Sequence, residues 1–459
     1  MSNRKKQHAL VLGGSIAGLL TACVLSNHFE RVTIIEKDPL NTKNAPRKGV
    51  PQGHQLHIVL ARGLHILERY LPGLTAELAA GGAIVSDDLA LDFRWFSDGG
   101  YRPQVPTGLK SVMVSRPFLE ETIRRRVADL PNVQINAGTK VAGLDSTPDG
   151  TRITGVKFAG GSEQKQKVDL VIDATGRGSK SSAWLAELGY TAPEVETVGV
   201  KIRYASRLFR RPKSFRTLIV TSGQPPHQAR QGAVQPLEDD RLVVTLHGRG
   251  DDVPPADEAG FNAHARALLT QDIAETMAGL EPLSNITVYN LPKTRWHHYE
   301  KLSRFPAGYL VLGDAICALN PVYGQGMTSA AMQAEALDKL LSKRSLSNNF
   351  WKPYFKQMAK VVSTPWQMTV SEDFLFPQTE GTPPKIPGFI ANYMGKLAQT
   401  INRDPVVFTA FFNVMHLMKP PITLFHPRIV WRVLFLKGKP SAQMSGYEAN
   451  QQPAKAIQN

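Results

Sequence analysis

Only two cysteines, Cys23 and Cys317, stand in 459 residues. So few exclude a disulfide framework, and without a Cys-x-x-Cys pair they offer no metal-ligand spacing. They read as small buried packing residues, and a reducing compartment follows as the default. Acidic residues are scarce beside basic ones: 39 Asp and Glu against 54 Lys and Arg, a formal charge of +15. That excess suits an anionic ligand, an anionic membrane surface or nucleic acid. Long apolar runs are missing as well. The longest, Val406 to Met418, is interrupted by Thr, Asn and His, short of the ~20 apolar residues of a spanning helix. The first apolar run, Ala9 to Leu12, is too short for a secretory segment, so a cytoplasmic protein without export is expected. No internal repeat is visible. What remains is an ordinary globular mix, 42% hydrophobic and 20% charged, in a chain long enough for about two to four domains. Wholesale disorder and a collagenous fibre are excluded.

Residues 8–36 read as a strand, a glycine turn, a helix from Leu19 to Ser26 and a second buried strand, Val32 to Ile35, closed by Glu36. Helical spacing of Leu56, Val59, Leu60, Leu64, Leu67 and Leu71 predicts a helix over 55–71, and 117–130 reads as another. Strands are expected at 133–135, 151–158 and 168–172, the last followed by Asp173-Ala-Thr-Gly-Arg-Gly-Ser179. Strand-like runs alternating with turns from 198 to 250 predict a separate antiparallel lobe. A helix is expected over 256–279, a buried strand at Tyr309 to Leu312, and a helix from Gly326 to Leu341. The tail, 346–459, reads as helices separated by proline breaks at 383–387 and 420–421, with a frayed polar end from about 440.

Two motifs carry chemistry. In the turn at 13–18, Gly13 and Gly18 hold the outer positions of a dinucleotide fingerprint and Ser15 the middle one. The first glycine permits the tight turn, the third close packing of helix on strand, and the middle residue must be small where a pyrophosphate approaches. The Ser15 hydroxyl is placed to donate to that phosphate, at a helix N-terminus that favours anions. Glu36 stands where a ribose hydroxyl is held. The second motif spans 309–328: strand, Gly313-Asp314, Asn320-Pro321, Gly324 and Gly326, then a helix whose N-terminus adds another anion-stabilising end. Taken alone it stands evenly between a site and a plain strand–loop–helix connection.

Together these motifs resemble the FAD-binding elements of the group A flavoprotein monooxygenases, the para-hydroxybenzoate hydroxylase superfamily. The similarity covers about residues 8–340. Val50-Pro-Gln-Gly-His-Gln-Leu-His57, Leu-Pro-Gly-Leu74 and the segment from Asp173 to Trp184-Leu185 look like the branch containing bacterial polyene and polyether epoxidases. The Asp173 segment departs from the family's Gly-x-Asp-Gly pattern, which is linked there to NAD(P)H. The resemblance implies an α/β fold: a Rossmann-like FAD domain with a parallel sheet from 1–75, 110–190 and 290–345 and an antiparallel substrate domain from 76–109 and 191–289; the helical region, 346–459, lies outside the resemblance. It places Gly13, Ser15 and Gly18 at the FAD pyrophosphate and Glu36 at the adenosine ribose, with Lys37 counted among the cofactor-binding residues. Arg116 falls to the flavin's phosphate or ribityl side, and Arg47 stands where the family has an arginine soon after the ribose acid. Asp314 falls to the ribityl chain, and Pro321, Gly324, Gln325, Gly326 and Met327 to the flavin edge. The implied reaction moves one oxygen atom from O₂, through a C4a-hydroperoxyflavin, into a hydrophobic organic substrate. Alkene epoxidation and aromatic hydroxylation compete, with NAD(P)H as reductant.

Alternatives stay open beside it. One is a flavin reductase of isoprenoid double bonds; another is a non-enzymatic FAD-fold lipid escort. A halogenase is disfavoured, because Trp-x-Trp-x-Ile-Pro is absent. No catalytic base is visible. His54 and His57 read first as structural or surface residues and second as a proton relay in the flavin pocket. No metal site is expected. Lys201 to Arg216 holds seven basic residues and no acid, a solvated strand face or a dock for NAD(P)H phosphates. Nucleic acid is not expected, for want of a recognition motif. The tail, with 12 basic and 5 acidic residues, reads as packing on the body, with a peripheral membrane contact, a lid on the substrate lobe and a dimer surface as rivals.

Overall fold

Short runs of β-branched and aliphatic residues, apolar on both faces, have one stable arrangement: a parallel sheet covered on each side. A computed structural model of the protein, describing residues 6–40, 45–47, 49–160 and 168–435, shows this sheet. Its strands are ordered Tyr309–Val311, Leu170–Asp173, Lys6–Leu12, Phe29–Ile35 and Val133–Asn136, all parallel. The order reverses beside the first strand, so the carboxyl ends of Lys6–Leu12 and Leu170–Asp173 open a crevice of the kind that takes dinucleotides. Helix Ile16–Leu25 is buried almost all round, and helix Gly326–Lys343 packs against it.

An eight-stranded sheet forms the second layer. It runs Cys317–Ala318, Thr287–His297, Val195–Arg210, Arg241–Arg249, Gln231–Leu237, Leu218–Thr221, Phe93–Ser97 and Gly100–Tyr101. Every pairing is antiparallel except that of Phe93–Ser97 with Leu218–Thr221. The fold is thus α/β, with a parallel sheet, a mainly antiparallel sheet and a helical C-terminal region. Both cysteines are free and buried, as their packing role requires, and burial pushes the Cys23 thiol up to about 11.

Two expectations are corrected. Residues 55–71 are not one helix: a 3-10 turn, Pro51–His54, leads into extended chain, and the helix is Ala61–Tyr70. Leu60 is extended (φ −64°, ψ 154°), and the Leu56 amide donates to the Thr245 hydroxyl of the facing sheet instead of to a helical carbonyl. The helix over 256–279 is two, Glu258–Arg266 and Asp272–Met277, the first capped by Asp257. The basic run 201–216 is largely paired. Lys201 meets Glu380, Arg207 Glu258, Arg210 Glu281 and Arg211 Asp240, pairs whose acids all stand open to solvent, in keeping with a solvated strand face.

The tail is helical: Trp351–Asp373, Gly388–Ile401, Pro405–Met415 and Pro427–Phe435. Phe408 and Phe412 are buried, and Phe411 stacks on Trp95 of the larger sheet at 6.2 Å. Among the described residues no helix is long and apolar enough to cross a membrane. The polar end expected to fray, from 440, lies outside the described residues.

Candidate active site

The glycine turn has a steric basis. Gly13 has φ +100°, and a Cβ there would stand 2.7 Å from the Ala174 carbonyl oxygen. A Cβ on Gly18 would lie 1.8 Å from the Gly13 carbonyl oxygen. The helix therefore starts flush on the turn, and its first N–H groups face the crevice. Ser15 is its extended N-cap, so the helix begins three residues earlier than its apolar run predicts.

Glu36 is buried and fixed. One oxygen accepts the Gly14 amide at 2.7 Å, the other the Asp38 amide at 2.9 Å, and Arg47 lies 3.1 Å away. Lys37 is exposed beside it. Ser15 is already occupied: its hydroxyl donates to Glu120 at 2.7 Å and accepts from Arg116 at 2.8 Å. Arg47 bonds Glu120 and Asp38, each at 2.8 Å. Burial works to raise the Glu120 carboxyl, but Arg116 and Arg47 outweigh it and hold the group below the usual range. Two arginines against Glu36, Asp38 and Glu120 leave this cluster at −1. An anion here is therefore stabilised by backbone N–H groups and the helix end, and the carboxylates suit neutral donors such as ribose hydroxyls. A cleft of about 270 Å³ opens beside the cluster, lined by Asp38, Arg47, Arg116, Glu120 and Arg124.

The late motif reaches the same crevice. Gly313, at φ +71°, gives its amide to Gln333, and a Cβ on it would stand 3.1 Å from Ala17 in the first helix. Asp314 follows, with Arg177 at 3.5 Å. Burial pushes its carboxyl up, while Arg177 and Arg116 draw it back. Pro321–Tyr323 is a 3-10 turn, Gly324 takes φ +65°, and Gln325 caps the helix that starts at Gly326 and Met327. A Cβ on Gly326 would stand 3.9 Å from an Asp314 oxygen, so this helix end and Asp314 face one space. Gln325 is buried with its side-chain oxygen unpartnered. The middle segment serves as scaffold. Asp173 accepts from Thr175, Ser179 and Ser181, and Arg177 reaches the Leu319 carbonyl under the late loop.

His54 and His57 line a smaller pocket of about 90 Å³ with Arg116, Ser206, Arg207 and Arg241. His54 is exposed. The His57 ring faces the Gln55 carbonyl at 2.8 Å, and a carbonyl only accepts, so Nδ1 carries the hydrogen and Nε2 is left as acceptor. Burial, then Arg116, lower its pKa to about 4, so it is neutral at physiological pH.

Sequence reasoning missed a cluster supplied by the tail. Arg249 and Asp373 are fully buried and bonded at 2.7 Å. The same Asp373 oxygen accepts from Asn320 at 2.8 Å and from Tyr323 at 3.0 Å, pinning the late loop to the C-terminal helix. Arg249 also lies 4.4 Å over the Phe376 ring. The larger sheet presents Phe93 and Trp95, stacked at 5.3 Å, toward the C-terminal helices. Next to Asp373, Glu372 keeps an open flank. Partial desolvation, then Asp98 and Asp373, raise its carboxyl above the usual range against Arg102 and Arg249. A carboxyl raised on folding adds stability that is full below the unfolded pKa and lost as pH climbs to the folded one. Glu372→Gln is expected to flatten the fall in Tm as pH rises above about 4.5, read by thermal melts across that rise. An unchanged slope would show the group is not perturbed.

The sequence profile of the family described as FAD binding domain matches residues 6–345. Protein Rv3254 of Mycobacterium tuberculosis (strain ATCC 25618 / H37Rv) is 33% identical over 396 residues, covering 82% of each chain. The kynurenine 3-monooxygenase of Salinispora arenicola (strain CNS-205) is 26% identical over 373 residues, 74% of this chain and 73% of that one. Among solved structures the chain is similar to the flavin-dependent brominase Bmp2, with a TM-score of 0.63 at 14% identity, over 89% of this chain and 93% of that one. This last likeness is one of fold.

Proposed function

The chain belongs to the FAD binding domain family, the flavin monooxygenases related to para-hydroxybenzoate hydroxylase, and from that premise we propose that it transfers one oxygen atom from O₂ to a hydrophobic organic substrate, with NAD(P)H as reductant. It is an FAD-binding oxidoreductase. The observation that carries the proposal is the meeting of two motifs some 300 residues apart at one crevice, where Gly313 abuts Ala17 and Asp314 faces Gly326. The glycine cradle and the unpartnered Gln325 oxygen fit a dinucleotide with a hydrogen-bonding ring system.

In this reading Gly13, Gly18 and the Ile16–Leu25 helix end hold the pyrophosphate. Ser15 and Arg116 turn toward it from Glu120, and Arg47 steadies the acids around the ribose. Glu36 takes the ribose hydroxyls, with Lys37 at the rim. Asp314 holds the ribityl chain, and the backbone from Gly324 to Met327, behind Pro321, faces the flavin edge. Bound FAD supplies the redox chemistry and oxygen activation. The protein keeps water out and places the acceptor. Aromatic hydroxylation and alkene epoxidation are both compatible with this reading. No side chain is assigned as catalytic base. His57 stays neutral and offers Nε2 as an acceptor.

The purified protein is expected to show flavin absorbance that bleaches on anaerobic NAD(P)H addition and returns in air. Bleaching without reoxidation, with a saturated product formed anaerobically, would point to the double-bond reductase. Failure to bind added FAD would sink the enzyme and leave the lipid escort. A smaller effect tests the Ser15 network. Ser15→Ala leaves Glu120 and Arg116 one partner short, and FAD affinity is expected to fall about tenfold, the worth of one charge-assisted hydrogen bond. Flavin fluorescence titration reads this, and no change would show that Ser15 does not face the cofactor.

A further inference from the structure

Twelve large hydrophobic side chains are strongly exposed among the described residues, and eight of them lie between Ile386 and Phe435. The most open are Phe389 at 75%, Ile422 at 70%, Phe435 at 69% and Trp431 at 54%. They belong to three elements that pack together: helix Gly388–Ile401, the 3-10 turn Pro421–Phe425 and helix Pro427–Phe435. The assembly is braced. The Tyr393 hydroxyl donates to the Leu424 carbonyl at 2.6 Å, the Tyr393 and Phe425 rings lie 5.0 Å apart, and Arg432 bonds Asp404 at 2.6 Å. Its underside, Leu397, Leu424, Ile429 and Val433, is buried in the core. The apolar side chains therefore stand on a fixed plate.

The charge carried by the plate's own segment is nearly all of one sign. Residues 386–435 hold Lys396, Arg403, Lys419, Arg428 and Arg432, and a single acid, Asp404, which is buried against Arg432. A second copy docking face to face would set these cations against one another. The chain beyond Phe435 carries Lys437, Lys439 and Lys455 against one Glu448, so it does not supply the opposite charge either. Aromatic and aliphatic side chains ringed by cations match an anionic lipid surface, where rings enter the headgroup level and basic groups meet phosphates. No described helix can span the bilayer, so contact is limited to the interface. We propose that this plate seats the protein on an anionic membrane surface through Phe389, Ile422, Trp431 and Phe435. The proposal does not depend on the reaction the flavin site performs.

The test is co-sedimentation of the full chain with vesicles of phosphatidylcholine alone and of phosphatidylcholine mixed with phosphatidylglycerol, at low and high salt. Binding to the mixed vesicles is expected to exceed binding to neutral ones at least about tenfold and to weaken with salt. The double variant Phe389→Ser, Phe435→Ser is expected to lose binding about tenfold or more while keeping its circular dichroism and its FAD uptake. Both side chains are exposed, so folding is not at stake. Equal sedimentation of the double variant, absence of binding to either vesicle, or a concentration-dependent dimer that the same substitutions abolish would each overturn the proposal.

Discussion

Asp373→Ala is expected to lower folding stability by about 3–5 kcal/mol, the largest loss from any single side chain in the crevice. The cost does not come from the ion pair's own worth. It comes from what is left behind: the Arg249 guanidinium, fully buried, with two of its nitrogens already lacking partners. The Asn320 amide and the Tyr323 hydroxyl lose their acceptor in the same step. If this account is right, removing both charges is milder than removing one. The pair Arg249→Met, Asp373→Leu should recover most of the loss, because a well-packed apolar pair replaces a desolvated ionic one. Urea unfolding of the two single variants and the double gives the coupling directly. Additive losses would show that the two side chains act independently. The late loop should respond too. Asp373→Asn keeps an acceptor for Tyr323 but not the charge, and the flavin spectrum of that variant reports whether the loop has moved.

The parts legible in the sequence are those where sterics allow one residue type. Gly18 could be read because anything larger meets the Gly13 carbonyl, and Gly313 and Gly324 because both take left-handed φ. Buried strands were readable from continuous apolar runs. The segment 55–60 was not. Its spacing of Leu56, Val59 and Leu60 satisfies a helix, while its amide partner, Thr245, lies on another element. Asp373 was hidden for the same reason. Its partners are 124, 53 and 50 residues away, and nothing local marks an acid at a helix end as their meeting point. Glu120 did leave a trace, four residues after Arg116 on one helix face, but its bond to Ser15 spans 105 residues. Long-range polar partners are settled by packing, and packing is what a single sequence shows least.

Gly18→Ala tests the cradle most sharply. A methyl group at this position would stand 1.8 Å from the Gly13 carbonyl oxygen, and Gly13 is held in place by its amide, which donates to the Ile35 carbonyl at 2.8 Å. The clash is relieved only by lifting the helix Ile16–Leu25 off the turn. That displaces the first-turn N–H groups assigned to the pyrophosphate, and with them the attraction that a helix end offers an anion. Overpacking of this kind costs about 1–3 kcal/mol in a well-packed core, and FAD affinity should drop by about a hundredfold or more. The variant is expected to purify without flavin and to regain little on titration. Gly395→Ala provides the contrast. Nothing stands within 4 Å of a Cβ there, and the residue lies inside an exposed helix. Its stability should rise by about 0.5–1 kcal/mol with FAD uptake unchanged. A Gly18→Ala protein that retained flavin at wild-type affinity would mean the anion is held elsewhere, and the assignment of the whole turn would fall with it.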